Sequence, residues 1–122
     1  MEEQLISFDT AKLAKEKGFL EDCRNSFTWY NTVKPMPCST FRDWNSFDKD
    51  WFSAPTQSLL QKWLREVYHI EVNAIPTGLK LSRRYLPRFW FSGYEYNGAD
   101  FVTYEEALEE GLIRALKLIK ID

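Results

Sequence analysis

The sequence predicts an α+β domain: an antiparallel sheet of about 3–5 strands with three helices, two of them packed on one face. Two observations lead there. Three stretches, at residues 7–18, 53–68 and 103–120, combine apolar spacing at the helical period with start and stop signals. Short alternating runs near 26–31, 70–76 and 89–96 lie between them, bounded by proline, glycine and asparagine. No internal repeat or low-complexity tract interrupts the chain, so residues 1–122 read as a single domain.

The first helix has a capping serine at Ser7, an acid in its first turn at Asp9, and lysines ahead of a closing Gly18. Ile6, Thr10, Leu13, Ala14 and Lys17 share one side of it. Phe27 and Trp29 then alternate with Ser26 and Thr28, which suits a strand. Pro35 and Pro37 are expected to end its ladder, and residues 38–52 mix Ser, Asn and Asp with large rings as an ordered loop does.

The central helix follows. Pro55 suits a first turn, where its missing N–H would have no intrahelical partner, and Ser53 is placed to cap. Leu59, Leu60, Trp63, Leu64, Val67 and Tyr68 gather on one half of the helix at about 100° per residue, which makes that half a core face. Beyond it, Ile70, Val72 and Ala74 alternate with Glu71 and Asn73 until Pro76-Thr-Gly78. Phe89 to Tyr96 reads as a strand, Asn97-Gly98 as a two-residue hairpin turn, and Ala99 to Val102 as the returning strand. In the last helix Thr103 and Glu106 form a capping box, and Glu110 is placed to pair with Arg114. Leu108, Leu112, Leu116 and Ile119 line its core face, and Gly111 permits close approach.

Composition narrows the function. A formal charge of −2 gives no overall drive toward nucleic acid or an anionic membrane, so such binding would need a local patch. No apolar run is long enough to span a bilayer. Cys23 and Cys38 are the only cysteines and lack a CxxC spacing, which makes a reduced, cytoplasmic, soluble protein the simplest expectation. With His69 the only histidine, one chain cannot complete a Cys/His zinc site. No cofactor is implied. Both cysteines read as small buried hydrophobes, His69 as a cap at a helix end, and Asp43, Asp48 and Asp50 as loop-capping acids, since an EF-hand register is absent. There is neither a Gly-rich phosphate loop nor a G-x-S-x-G elbow, and the reading is against an enzyme.

Residues 54–67 (APTQSLLQKWLREV), 104–119 (YEEALEEGLIRALKLI) and 10–19 (TAKLAKEKGF), together about a third of the chain, resemble segments of uncharacterised small proteins of bacterial phages and prophages. The aromatic middle departs from that pattern. The resemblance implies a phage or mobile-element origin and assigns neither an activity nor site residues.

Three function classes follow. The first is a non-catalytic accessory protein whose aromatic segment, through Phe41, Trp44, Phe47 and Trp51, meets an unidentified protein or a second copy, because interfaces favour large rings at their centres. The second is a nucleic-acid-binding accessory protein using Lys80, Arg83, Arg84, Tyr85 and Arg88, where guanidinium groups would meet phosphates and rings would stack on bases. A solvated strand face paired with acids is the ordinary alternative for that segment. The third class is an unrecognised hydrolase, which requires polar side chains converging in a pocket.

Overall fold

Ser7 opens the first helix through its own side chain. The computed structural model, which describes residues 4–28, 31–47, 49–77 and 84–119, places α1 at Phe8–Glu16, with the Ser7 hydroxyl accepting from the Thr10 N–H. Gly18, at φ 90°, ends it: the Phe19 N–H returns to the Ala14 carbonyl and the Gly18 N–H to Lys15. Glycine is favoured at this turn because the left-handed conformation costs it nothing. Phe19 is thereby driven into the interior, fully buried.

The elements that follow are β1 (Cys23–Thr28), β2 (Asn31–Arg42), α2 (Trp44–Phe47), β3 (Trp51–Ser53), α3 (Gln57–Tyr68), β4 (Glu71–Thr77), β5 (Arg84–Phe91), β6 (Tyr94–Asn97) and α4 (Tyr104–Leu118). The class is α+β, with two three-stranded antiparallel sheets among the described residues where the sequence predicts a single one. Contacts divide the chain into two compact units, Met1–Leu59 with Lys120–Asp122, and Leu60–Ile119.

In the first unit the sheet order is β2-β1-β3, with α1 against β2 and β3. The strand expected near 26–31 is β1, and Trp29 and Tyr30 lie outside the described residues. The loop expected at 38–52 is corrected: it holds the end of β2, a turn of helix and the start of β3. Pro35 and Pro37 do not end the ladder, because β2 is an edge strand, where a missing N–H is tolerated, and its pairing with β1 shifts register twice. β3 then takes the free side of β1, Phe27 opposite Phe52, which closes this sheet within its own segment of chain.

Capping of the central helix is corrected as well. Ser53 is held in the β1–β3 ladder opposite Ser26, and the Pro55 carbonyl accepts from the Ile6 N–H, so the chain stays extended past both. Thr56 caps instead, its hydroxyl accepting from the Leu59 N–H.

In the second unit the order is β4-β5-β6. Val72 and Ala74 are buried while Glu71, Asn73 and Ile75 are only partly covered, the alternation that the sequence predicts. α4 lies against β4 and β5, and Leu108, Leu112, Leu116 and Ile119 are buried, as are Leu60, Trp63 and Leu64 of α3. Val67 departs from this core, at 52% exposed, while Tyr68 beside it stays partly covered, its ring edge-on to Trp63 at 5.2 Å. A Cβ on Gly111 would stand 3.0 Å from Val72 Cγ1 and 3.3 Å from Pro87 Cβ, so glycine sets how closely α4 meets the sheet. Thr103 caps α4 by accepting from the Glu106 N–H, and Arg114 donates to Glu110 at 2.8 Å.

The hairpin turn is displaced from its predicted place. Ser92 and Gly93, at φ 49° and 82°, join β5 to β6, with Phe91 opposite Tyr94. Asn97-Gly98 instead stays in register, the Gly98 N–H donating to the Pro87 carbonyl. Full pairing of β5 with β4, from Trp90 opposite Glu71 to Arg84 opposite Thr77, exhausts β5 at Phe91 and forces the reversal there. Among the described residues, no helix is long and apolar enough to cross a membrane.

Candidate functional site

The α2 turn exists because Asp43 starts it: one carboxylate oxygen accepts from the Asn45 and Ser46 N–H groups and the other from the Ser46 hydroxyl. This places Asp43 in the capping role the sequence suggests for it, and Asp48 lies outside the described residues. Trp44 and Phe47 then stand one helical turn apart. Trp44 is buried, its indole N–H donating to the Cys23 carbonyl at 2.8 Å and its backbone N–H to the Ser53 hydroxyl at 3.0 Å. Asn45 fixes the turn from the other side, donating to the Phe19 carbonyl and accepting from the Ser53 N–H.

On that base three rings assemble. Trp44 and Trp51 stack with centroids 5.1 Å apart, and Phe47 meets both edge-on, at 5.4 Å and 5.2 Å. Arg42 lays its guanidinium over the Phe47 ring, 4.5 Å from the centroid, and 5.5 Å from that of Trp44. Phe47 nevertheless remains 47% exposed, and Arg42 is exposed. Beside this group Phe52 meets Phe8 edge-on at 5.2 Å, and the Lys15 ammonium sits 4.7 Å above the Phe52 centroid while donating to the Lys49 and Trp51 carbonyls.

The structure thus brings together Trp44, Phe47 and Trp51 of the four predicted contact residues. Phe41 closes the same strand as Arg42, but its side chain lies outside the described residues. Sequence reasoning missed Arg42, Asn45 and Lys15. The Asp43-Trp44-Asn45-Ser46 run carries a capping signal that marks a helical turn, and it would have placed Trp44 and Phe47 side by side.

Of the basic segment, Lys80 and Arg83 lie outside the described residues. Arg84 donates to Asp100 at 3.0 Å, and Arg88 donates to Asn97 at 2.9 Å and pairs with Glu95 at 3.2 Å. The acids paired with these arginines are Glu95 on β6 and Asp100 in the segment after it. Tyr85 meets Tyr104 edge-on at 5.9 Å.

His69 sits just past the end of α3 at φ 58°, exposed, and the chain turns through it as the Ile70 N–H returns to Leu64. Cys23 is free and buried, and burial pushes its thiol up to about 12. Among the described residues, no group of three His, Cys, Asp or Glu side chains is placed to hold a metal ion.

No family model matches the chain, and no curated protein or solved structure does so.

Proposed function

We propose that the chain is a non-catalytic phage or mobile-element accessory protein of the bacterial cytoplasm, acting by contact between its Trp44–Phe47–Trp51 ring cluster and another protein. The observation that carries this reading is Phe47, half exposed although two rings and a guanidinium hold it in place. A large ring fixed before binding loses little side-chain entropy on contact, and aromatic residues with an adjacent arginine dominate the energetics of protein interfaces. The mobile-element origin rests on the resemblance of residues 10–19, 54–67 and 104–119.

A nucleic-acid role for the Lys80–Arg88 segment ranks second, since Arg84 and Arg88 would have to exchange Asp100 and Glu95 for phosphates. A hydrolase ranks third, as among the described residues no set of polar groups around the rings suggests a nucleophile and its base.

The test is affinity capture from one bacterial lysate with wild-type and Phe47→Ser chains of equal thermal stability. A partner retained by wild type should be lost by the variant, with affinity falling roughly thirtyfold, as for an interface hot spot. Identical captured sets would remove the reading's support.

A further inference from the structure

The edge of a sheet carries unpaired backbone groups, and proteins blunt such edges against pairing with another chain. Among the described residues four edges are present, at β2, β3, β4 and β6. β2 carries Pro35 and Pro37 and slips register twice. β3 is three residues long, and Lys15 donates to its Trp51 carbonyl. On β4 the Gln61 amide donates to the Val72 carbonyl, and Pro76 has no N–H to offer. β6 carries no proline, and its charged residue, Glu95, is turned back onto Arg88. The strand is short, but the Gly98 N–H on Pro87 and the bridge between Tyr85 and Phe101 continue its line along β5.

The direction of its backbone groups follows from one hydrogen bond. Gly98 donates to Pro87, and hydrogen-bonded pairs recur at every second residue of an antiparallel ladder, so Tyr96 with Phe89 and Tyr94 with Phe91 are also bonded pairs. Glu95 and Asn97 therefore aim their N–H and C=O groups away from β5, over side chains that are exposed.

We propose that β6 pairs antiparallel with β6 of a second copy, Tyr96 opposite Tyr96, joining two three-stranded sheets into one of six strands. This surface is separate from the ring cluster and stands without it. In that register Glu95 and Asn97 of each chain exchange backbone hydrogen bonds with Asn97 and Glu95 of the other. Their side chains are complementary as well as their backbones. The Asn97 carbonyl oxygen already accepts from Arg88, which leaves its amide N–H groups to meet the facing Glu95 carboxylate. A register centred on Glu95 would instead set two carboxylates face to face. One centred on Asn97 would pair Glu95 with Ala99, past the end of the strand. Tyr94, 57% exposed, falls opposite Gly98 of the second copy and gains cover there.

Sedimentation velocity of the full chain over a wide concentration range tests this. Wild type should show a concentration-dependent dimer. Asn97→Glu still offers Arg88 an acceptor but faces Glu95 with a like charge at both junctions, and should weaken the dimer about tenfold. Glu95→Pro removes an outward N–H without touching the β5–β6 ladder, and should sediment as a monomer. If its circular dichroism shows that it has not folded, Asn97→Glu decides alone. Phe47→Ser should leave the dimer unchanged, which separates this surface from the ring cluster. A wild type that is monomeric at every concentration overturns the proposal, as does a dimer that Asn97→Glu leaves intact or that Phe47→Ser abolishes.

Discussion

Trp44 and Trp51 stack with their ring planes 21° from parallel, one ring rising from a helical turn and the other from a strand. The pair joins a buried anchor to a partly exposed surface, and the two halves have different energetic roles. Trp44 is 6% exposed and satisfies the Cys23 carbonyl through its indole N–H. Trp44→Phe keeps most of the apolar contact but leaves that carbonyl unpaired, which costs about 1–3 kcal/mol. Trp44→Ala should cost about 3–5 kcal/mol. Urea denaturation of the two variants beside wild type checks both figures, and a Trp44→Phe chain as stable as wild type would show that the indole hydrogen bond contributes nothing.

The fold was legible wherever a local signal had no competitor. Thr103 with Glu106, Glu110 with Arg114, and Ser7 with Gly18 act within a turn or two of helix, and each is found as its spacing predicts. Failures occurred where a distant partner claimed the signalling residue. Ser53 has the chemistry of a cap but is held opposite Ser26, and Asn97-Gly98 has the chemistry of a turn but is held along β5. Pro35 and Pro37 misled because the effect of a proline depends on whether its strand is an edge, which is a property of the whole sheet. In the site, the density of rings was visible in sequence. Arg42 over Phe47 was not, because a cation and a ring five residues apart meet only after β2 has ended and α2 has begun.

The β5–β6 turn yields a second prediction. Ser92 and Gly93 both have positive φ, the geometry of a type I′ turn, in which asparagine is favoured at the first position. Ser92→Asn should raise stability by roughly 0.5 kcal/mol. Gly93→Ala should lower it by about 1–2 kcal/mol, and that cost is conformational, because a Cβ there would have no heavy atom within 4 Å. Thermal denaturation of the two variants gives the signs, and a destabilising Ser92→Asn would argue against this turn.

Cys23 gives a third, through pH. Burial raises its thiol from 9.0 to about 12, against a smaller lowering by the hydrogen bond with Ser53. The thiolate is the reactive form, so native Cys23 should resist iodoacetamide at mildly alkaline pH and react once the chain is unfolded. Linkage sets the direction for stability. Between the two values the unfolded chain has released this proton while the folded chain retains it, so the contribution of Cys23 is constant below pH 9.0 and declines as pH rises toward about 12. Peptide mapping after alkylation measures the first effect. Rapid labelling of Cys23 in the folded chain would contradict both.

The central claim is that Phe47 touches another protein, and site-specific photo-crosslinking tests it most directly. A benzophenone amino acid replaces Phe47 in one chain and the exposed Lys12 of α1 in another, and both are irradiated in the native cell. The account predicts a discrete adduct with a distinct protein from position 47 and none from position 12. No adduct at position 47, or the same adducts from both positions, would contradict it.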